Sequence, residues 1–195
     1  MRIGRRIVVK PTWRDHTPLP GDVSLDLDPG MAFGTGLHPT TRLCLVGLEA
    51  VAERGLLADA RVLDVGCGSG ILAIAAAKLG AASVSGVDTD PIAVEATTAN
   101  AARNGLGRRI VARAGSLPSG DAPHDLVLAN LIASVLITLA GPLRDELRPG
   151  GTMLASGIFE DRESAVRAAL EGVGLAVSRR WIEGEWVALE AVRSE

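Results

Sequence analysis

Tyrosine is absent from the 195 residues, and the aromatic side chains together, two Phe and three Trp, make up 3% of the chain. The core therefore cannot rest on large rings. It must be assembled from Ala, Val, Leu and Ile, which the 47% hydrophobic fraction supplies amply. Only two cysteines occur, Cys44 and Cys67, too few for a disulfide framework, so a reduced, cytoplasmic setting is expected. No long apolar run exists. The longest, residues 131–140, is about half of what a membrane span requires, and residues 1–10 hold an Arg pair but no signal-peptide core. Excess positive charge is also missing. A net charge of −3 speaks against a chain that wraps nucleic acid, although it leaves room for a local basic patch. No group of side chains has metal-ligand spacing, so no metal is expected.

What is present fits one domain with a sizeable core. Residues 7–9 read as a short strand. Residues 11–39 are rich in Pro, Gly and Asp without a clear period, and a connection this long is often functional. Residues 40–53 read as a helix with Thr40 or Thr41 near its start. A regular alternation follows: strand 61–65, helix 71–79 ended by Gly80, strand 83–88, helix 91–104 with Pro91 in its first turn, then strands 109–113 and 125–129. Helix 134–147, stopped by Pro149-Gly150, strand 151–156 and helix 161–171 complete it. Such alternation implies a parallel sheet covered on both faces. Residues 175–181 and 186–192 have Glu183-Gly184 and no helix between them, and should form an antiparallel hairpin.

Asp64-Val65-Gly66-Cys67-Gly68-Ser69-Gly70 joins the first strand of this alternation to a helix. Glycines there permit a tight turn and let a ligand approach the backbone, and the helix start offers free N–H groups. A dinucleotide loop would follow G-x-G-x-x-G/A. In that register Gly66 and Gly68 are followed by Ile71, so the third small residue is missing. Asp88 closes the next strand, at roughly the ~20-residue spacing from which an acid can hydrogen-bond a ribose diol. The plain alternative, an α/β domain with a tight glycine turn and no ligand, must explain strand, acid, three glycines, helix, strand and acid together.

The D-x-G-x-G-x-G pattern resembles the first motif of the seven-stranded methyltransferases. That resemblance implies S-adenosylmethionine as cofactor, with Asp64 ordering the loop and the methionine end of the ligand, and with Gly66, Gly68 and Gly70 approaching it. Asp28-Pro29-Gly30-Met31-Ala32-Phe33-Gly34-Thr35-Gly36-Leu37-His38-Pro39-Thr40-Thr41 narrows the likeness further. Read from its residues, this is a glycine-rich loop feeding a helix, able to fold over a ligand as a lid. It resembles the corresponding motif of the bacterial ribosomal protein L-eleven methyltransferase (PrmA) family. The likeness continues through residues 64–70, 100–105 and 128–131 and ends near Glu183-Gly184-Glu185-Trp186.

The resemblance implies an α/β fold with a Rossmann-like class I methyltransferase sheet of seven strands, mostly parallel with a C-terminal antiparallel hairpin. The whole chain, 1–195, is then a single methyltransferase domain, with an N-terminal strand and lid-like segment over 1–38 and the core over 39–195. By position, Thr41, Gly66, Asp88 and Asn130 contact the cofactor. The implied acceptors are amines of a ribosomal protein, lysine side chains and an α-amino group. Family members carry a separate N-terminal recognition domain, whereas here about one strand precedes the shared region. Many methyltransferases also place an acid after the third strand to bind the adenine amine. This chain has Ala114-Gly115-Ser116, so Ser116 or backbone must substitute.

Asn130 lies at the carboxyl edge of the sheet, where its side-chain oxygen can orient the incoming amine or simply turn the loop. His38 lines the acceptor pocket or fixes its loop by a hydrogen bond. Nucleic-acid amino-methyltransferases follow the fourth strand with Asn- or Asp-Pro-Pro-aromatic. Asn130-Leu131-Ile132-Ala133 has neither proline nor aromatic, so direct nucleic-acid recognition is not expected. A methyltransferase for another protein lysine or a small-molecule amine, and a non-catalytic nucleotide-binding module, are the other classes.

Overall fold

The structure is a computed structural model that describes residues 1–11, 13, 17–28 and 38–195. The expected lid-like segment falls largely on residues 29–37 and so lies outside the described residues.

A seven-stranded sheet organises the chain, in the spatial order β6-β5-β4-β7-β8-β10-β9. Its parallel strands are β4 (Arg61–Val65), β5 (Ser83–Asp88), β6 (Ile110–Ala114), β7 (His124–Asn130) and β8 (Leu147–Phe159). The hairpin β9 (Leu175–Glu183) and β10 (Trp186–Arg193) adds two strands, with β10 antiparallel to both β8 and β9. Gly184 opens the two-residue turn with φ +60°, as a turn with glycine in its first central position requires. Central strands buried on both faces read as continuous Val, Leu and Ala. Val62, Leu126, Leu128 and Leu154 accordingly join one core, and Leu63, Val127, Ala129 and Met153 the other.

Helices α1 (Pro39–Glu53) and α2 (Ile71–Lys78) cover the first core. Every residue of α2 but the last is buried, and its run of alanines lets it sit close against the strands. Helix α3 (Pro91–Arg103) starts at Asp90, whose carboxylate accepts from the Ile92 N–H at 2.9 Å. Helices α4 (Ala133–Thr138), α5 (Ala140–Asp145) and α6 (Glu163–Gly172) cover the second core.

Four sequence expectations need correction. Residues 134–147 do not form one helix. It breaks at Leu139, since Pro142 has no N–H to continue the ladder, and Leu147 already belongs to β8. Helix 161–171 is likewise a 3₁₀ turn at Glu160–Arg162 followed by α6. Residues 11–39 contain a strand, β3 (Val23–Leu27), with strict inward Val23, Leu25 and Leu27. It pairs in parallel with β2 (Ile7–Pro11), which pairs with β1 (Arg2–Ile3), giving a second, three-stranded sheet. The cover of the large sheet is also incomplete. The β6–β7 connection carries no helix, because Gly115, Pro118, Gly120 and Pro123 interrupt it, and Val111 on edge strand β6 stays exposed.

Side chains from the helices tie down the small sheet. Glu49 on α1, itself buried, accepts the backbone N–H groups of Arg5, Arg6 and Ile7 at 2.7–2.9 Å. Asn104, the residue capping α3, bonds both the N–H (3.0 Å) and the C=O (2.7 Å) of Asp26, as a neighbouring strand would. Among the described residues no helix is long and apolar enough to cross a membrane.

Candidate functional site

A cavity of about 370 Å³ opens at the carboxyl edge of β4, β5 and β7, where ligands bind in open α/β sheets. The loop after β4 forms its floor. Gly66 has φ +72°, a conformation that other residues adopt with strain, and a Cβ there would lie 2.6 Å from Leu131 Cδ2, whose side chain would have to shift. The N–H groups of Gly66 and Cys67 both donate to the Val87 carbonyl, at 2.8 and 3.2 Å, and hold the loop against β5. Helix α3 pins the far side. Thr97 Oγ1 donates to the Gly68 carbonyl at 3.0 Å, and Asn100 Nδ2 to the Ser69 carbonyl at 2.9 Å.

Asp88 stands at the end of β5 in the cavity wall. Its Oδ2 accepts from the Gly68 N–H at 3.0 Å and its Oδ1 from the Asp90 N–H at 3.0 Å, so the carboxylate is fixed before any ligand arrives. Asn130 ends β7 and also lines the cavity. Its Nδ2 donates to Thr41 Oγ1 at 3.4 Å, which leaves the Oδ1 carbonyl as its free acceptor. Thr41 is fully buried in the first turn of α1. Gly115 and Ser116 supply the opposite wall, with the Gly115 N–H bonded to the Asp88 carbonyl at 2.8 Å.

Six of the nine residues singled out from sequence therefore meet at one cavity: Thr41, Gly66, Gly68, Asp88, Ser116 and Asn130. Three stand apart from its lining. Gly70 is the N-cap of α2, packed against Thr97. His38 is the N-cap of α1, with Nδ1 2.8 Å from Thr40 Oγ1 and its ring edge-on to Trp186 at a centroid distance of 4.8 Å. Asp64 is buried beneath the loop, and its Oδ2 accepts from the Ala73 N–H at 3.1 Å, one of the otherwise unpaired donors of the first turn of α2. Burial pushes its pKa up to about 7, reinforced by the charge of Asp88 and opposed by the Ala73 hydrogen bond.

Sequence reasoning missed Thr97 and Asn100. Their signal was a polar stripe, with Asn104, at helical spacing on a face that turns out to be buried. It also missed Leu131, whose side chain sits over Gly66 and whose backbone lies against Gly157.

Of the described residues lining the cavity, only Asp88 is charged. A pyrophosphate would meet a carboxylate and no Lys or Arg, and the Gly68 N–H that it would seek is already bonded to Asp88. A cationic, phosphate-free nucleoside suits this wall. No cluster of His, Cys, Asp and Glu among the described residues could hold a metal.

A family model described as ribosomal protein L11 methyltransferase (PrmA) matches residues 1–194. The chain is 47% identical to a ribosomal protein L11 methyltransferase of Chloroflexus aurantiacus, over 97% of this chain and 64% of that protein. It is 48% identical to one of Geobacter metallireducens, over 96% of this chain and 60% of that one. The chain thus spans about three-fifths of the length of the curated relatives it matches. A crystal structure of a ribosomal protein L11 methylase from Lactobacillus delbrueckii subsp. bulgaricus superposes with a TM-score of 0.90 at 34% identity, covering 100% of this chain and 98% of the other. The chain belongs to the ribosomal protein L11 methyltransferase (PrmA) family.

Proposed function

We propose that this chain is an S-adenosylmethionine-dependent methyltransferase acting in the cytoplasm on amines of a ribosomal protein, lysine side chains and an α-amino group, and that residues 1–195 form its single catalytic domain. The observation that carries the reading is the cavity wall itself, with Asp88 as its only charged described residue and with Asn130, its Nδ2 donating to Thr41, lining the same space. The family relationship supports the choice of acceptor, since the named relatives are ribosomal protein L11 methyltransferases.

In this reading the cofactor, when bound, supplies a methyl group on a cationic sulfur that leaves as a neutral thioether. Asp88 accepts the hydroxyls of the ribose. Gly66 and Gly68 let the ligand reach the backbone, Ser116 and the Gly115 backbone face the base, and the apolar Leu131, Val135 and Leu139 exclude water. Asn130 would accept a hydrogen bond from the incoming amine and so orient its lone pair, while Thr41 fixes the amide by accepting from Nδ2. Holding the reactants in line offsets roughly 7–11 kcal/mol of barrier. A free lysine has a pKa of about 10.4. A dry wall beside a positive centre lowers that value, and the amine proton leaves to solvent.

Titration with S-adenosylmethionine and with NAD, followed by incubation of labelled cofactor with purified ribosomal proteins and intact-mass measurement, tests the reading. Tight binding of the former and mass rising in single-methyl steps on ribosomal protein L11 are expected. Binding of NAD alone, or label on no ribosomal protein, overturns it.

A further inference from the structure

Beside the cofactor cavity, across the segment that follows Asn130, runs a second groove of about 280 Å³. Its walls are Ile132, Ile137, Phe159 and Trp186, and its floor includes Gly157. Ile132, Ile137 and Phe159 are exposed by 65%, 39% and 45%, so three large apolar side chains face solvent together. The Phe159 and Trp186 rings stack with centroids 3.9 Å apart, and the far edge of Trp186 meets His38 at the start of α1. Trp186 thereby links the groove to the helix whose Thr41 holds Asn130.

The groove does not end in neutral surface. Phe159 and Arg162 also line a wider depression of about 590 Å³, completed by Glu160, Asp161 and Glu185. Glu160 is engaged by Arg180 at 2.9 Å. Among the described residues Asp161 and Glu185 make no ion pair, and Arg162 is the only cation lining the depression. The shelf is built rather than accidental in its spacing, because the Glu160 N–H donates to the Glu185 carbonyl at 2.9 Å and locks the two loops together.

An apolar slot that opens onto two carboxylates without ion pairs among the described residues, set against a single Arg, complements a polypeptide with an apolar side chain next to basic ones. We propose that this trough seats the stretch of the acceptor protein that flanks the methylated amine. An apolar side chain enters between Ile132, Ile137 and the Phe159–Trp186 pair, and a neighbouring Lys or Arg rests against Asp161 and Glu185. This rests on the methyltransferase reading above and adds the surface that selects the acceptor. The seat lies directly beyond Asn130-Leu131, so a segment held there presents an adjacent amine to the Asn130 carbonyl. Charge on the rim governs encounter and affinity for the acceptor, and leaves the chemistry at Asn130 alone.

The test is the charge-reversed double variant Asp161→Lys with Glu185→Lys, both sites exposed and neither in the lining of the cofactor cavity. With purified ribosomal protein L11 as acceptor, its KM should rise about tenfold while kcat stays within about twofold, and the rise of KM with salt seen in the wild type should be lost or reversed. Cofactor affinity by calorimetry should not change. A KM within twofold of the wild type overturns the trough while leaving the methyltransferase reading intact. A wild-type chain that binds no S-adenosylmethionine overturns that reading instead. A second measurement does not depend on turnover. A synthetic peptide of alternating Lys and Leu, titrated into the full chain, should shift the NMR signals of the Trp186 indole and the Ile132 and Ile137 methyl groups in the wild type, and do so only weakly in the double variant. Peptide-induced shifts confined to other surfaces, or none, overturn the proposal.

Discussion

A Cβ on Gly157 would lie 2.6 Å from the carbonyl carbon of Leu131, so the backbone after Asn130 can occupy its place only because residue 157 has no side chain. Gly157 also has φ +85°, a region that other residues adopt with strain. The preceding Ser156 completes the clamp. Its carbonyl accepts from the Leu131 N–H at 3.0 Å, and its hydroxyl donates to the Val187 carbonyl at 3.0 Å. Leu131 is thus wedged between β8 and the Gly66 loop, and Asn130 inherits its position. Gly157→Ala should cost about 1–3 kcal/mol of stability from strain. It should also lower kcat by roughly a hundredfold, the penalty for displacing a positioning group by about an ångström. Steady-state kinetics beside calorimetry would show kcat falling much further than cofactor affinity. Equal losses in both would mean that the loop, not Asn130, had moved.

Asp88 makes two backbone hydrogen bonds within the protein and still faces the cavity. Asp88→Ala removes a charged acceptor and leaves the Gly68 N–H without its partner. Hydrogen bonds to charged groups are worth about 1.5–3 kcal/mol each, so S-adenosylmethionine affinity should fall at least tenfold. Isothermal titration would measure it, and a variant that bound as tightly as the wild type would remove Asp88 from the ligand.

Glu49 offers a stability test away from the site. Its buried carboxylate takes three consecutive backbone donors at the turn between β1 and β2. Glu49→Ala leaves the Arg5, Arg6 and Ile7 N–H groups unmatched and should cost about 3 kcal/mol or more. Hydrogen exchange should show the loss concentrated in Arg2–Ile3 and Ile7–Pro11. Uniform protection across both sheets after the substitution would contradict the local role.

What could be read from sequence followed the range of the interactions. The alternation from Arg61 to Phe159 was legible because most strands are short apolar runs and the helices carry local signals, such as Pro91 at a start and Gly80 at an end. Asp88 and Asn130 were legible because strand ends in a parallel sheet fall on one edge. Val23–Leu27 alternates strictly, yet its prolines and glycines on either side masked it, and its stability comes from partners as distant as Asn104. Thr97 and Asn100 showed only a polar stripe at helical spacing, which by itself reads as a solvated face. Nothing local says that a polar face of α3 is turned inward to grip the Gly68 and Ser69 carbonyls.

Cys67 sits in the glycine loop and lines the cavity, yet burial pushes its thiol up to about 12, with the charges of Asp64 and Asp88 adding to the shift. Cys44, fully buried, is likewise pushed up to about 12. The thiolate is the reactive form, so neither should be alkylated by iodoacetamide at pH 8 in the native chain. Both should react after unfolding in guanidinium. Rapid modification of Cys67 in the folded protein, read by intact mass, would show that its environment is far more polar than the loop geometry implies.

Asp64 makes the fold itself sensitive to pH. Its carboxyl is buried, and its pKa rises from 3.8 in the unfolded reference to about 7. Between those values the folded chain retains a proton that the unfolded chain has lost. Asp64 therefore contributes stability fully below about pH 4, and the contribution drains away as pH rises toward 7. The slope from this one group is on the order of 1 kcal/mol per pH unit within the window. Asp64→Asn keeps an oxygen to accept from the Ala73 N–H but cannot ionise. Guanidinium unfolding of both proteins from pH 4.5 to 8 isolates the effect. The stability of the wild type relative to the variant should decline with increasing pH and level off above about 7. Parallel curves would show that Asp64 keeps its ordinary acidity, and that the loop above it admits more water than its packing suggests.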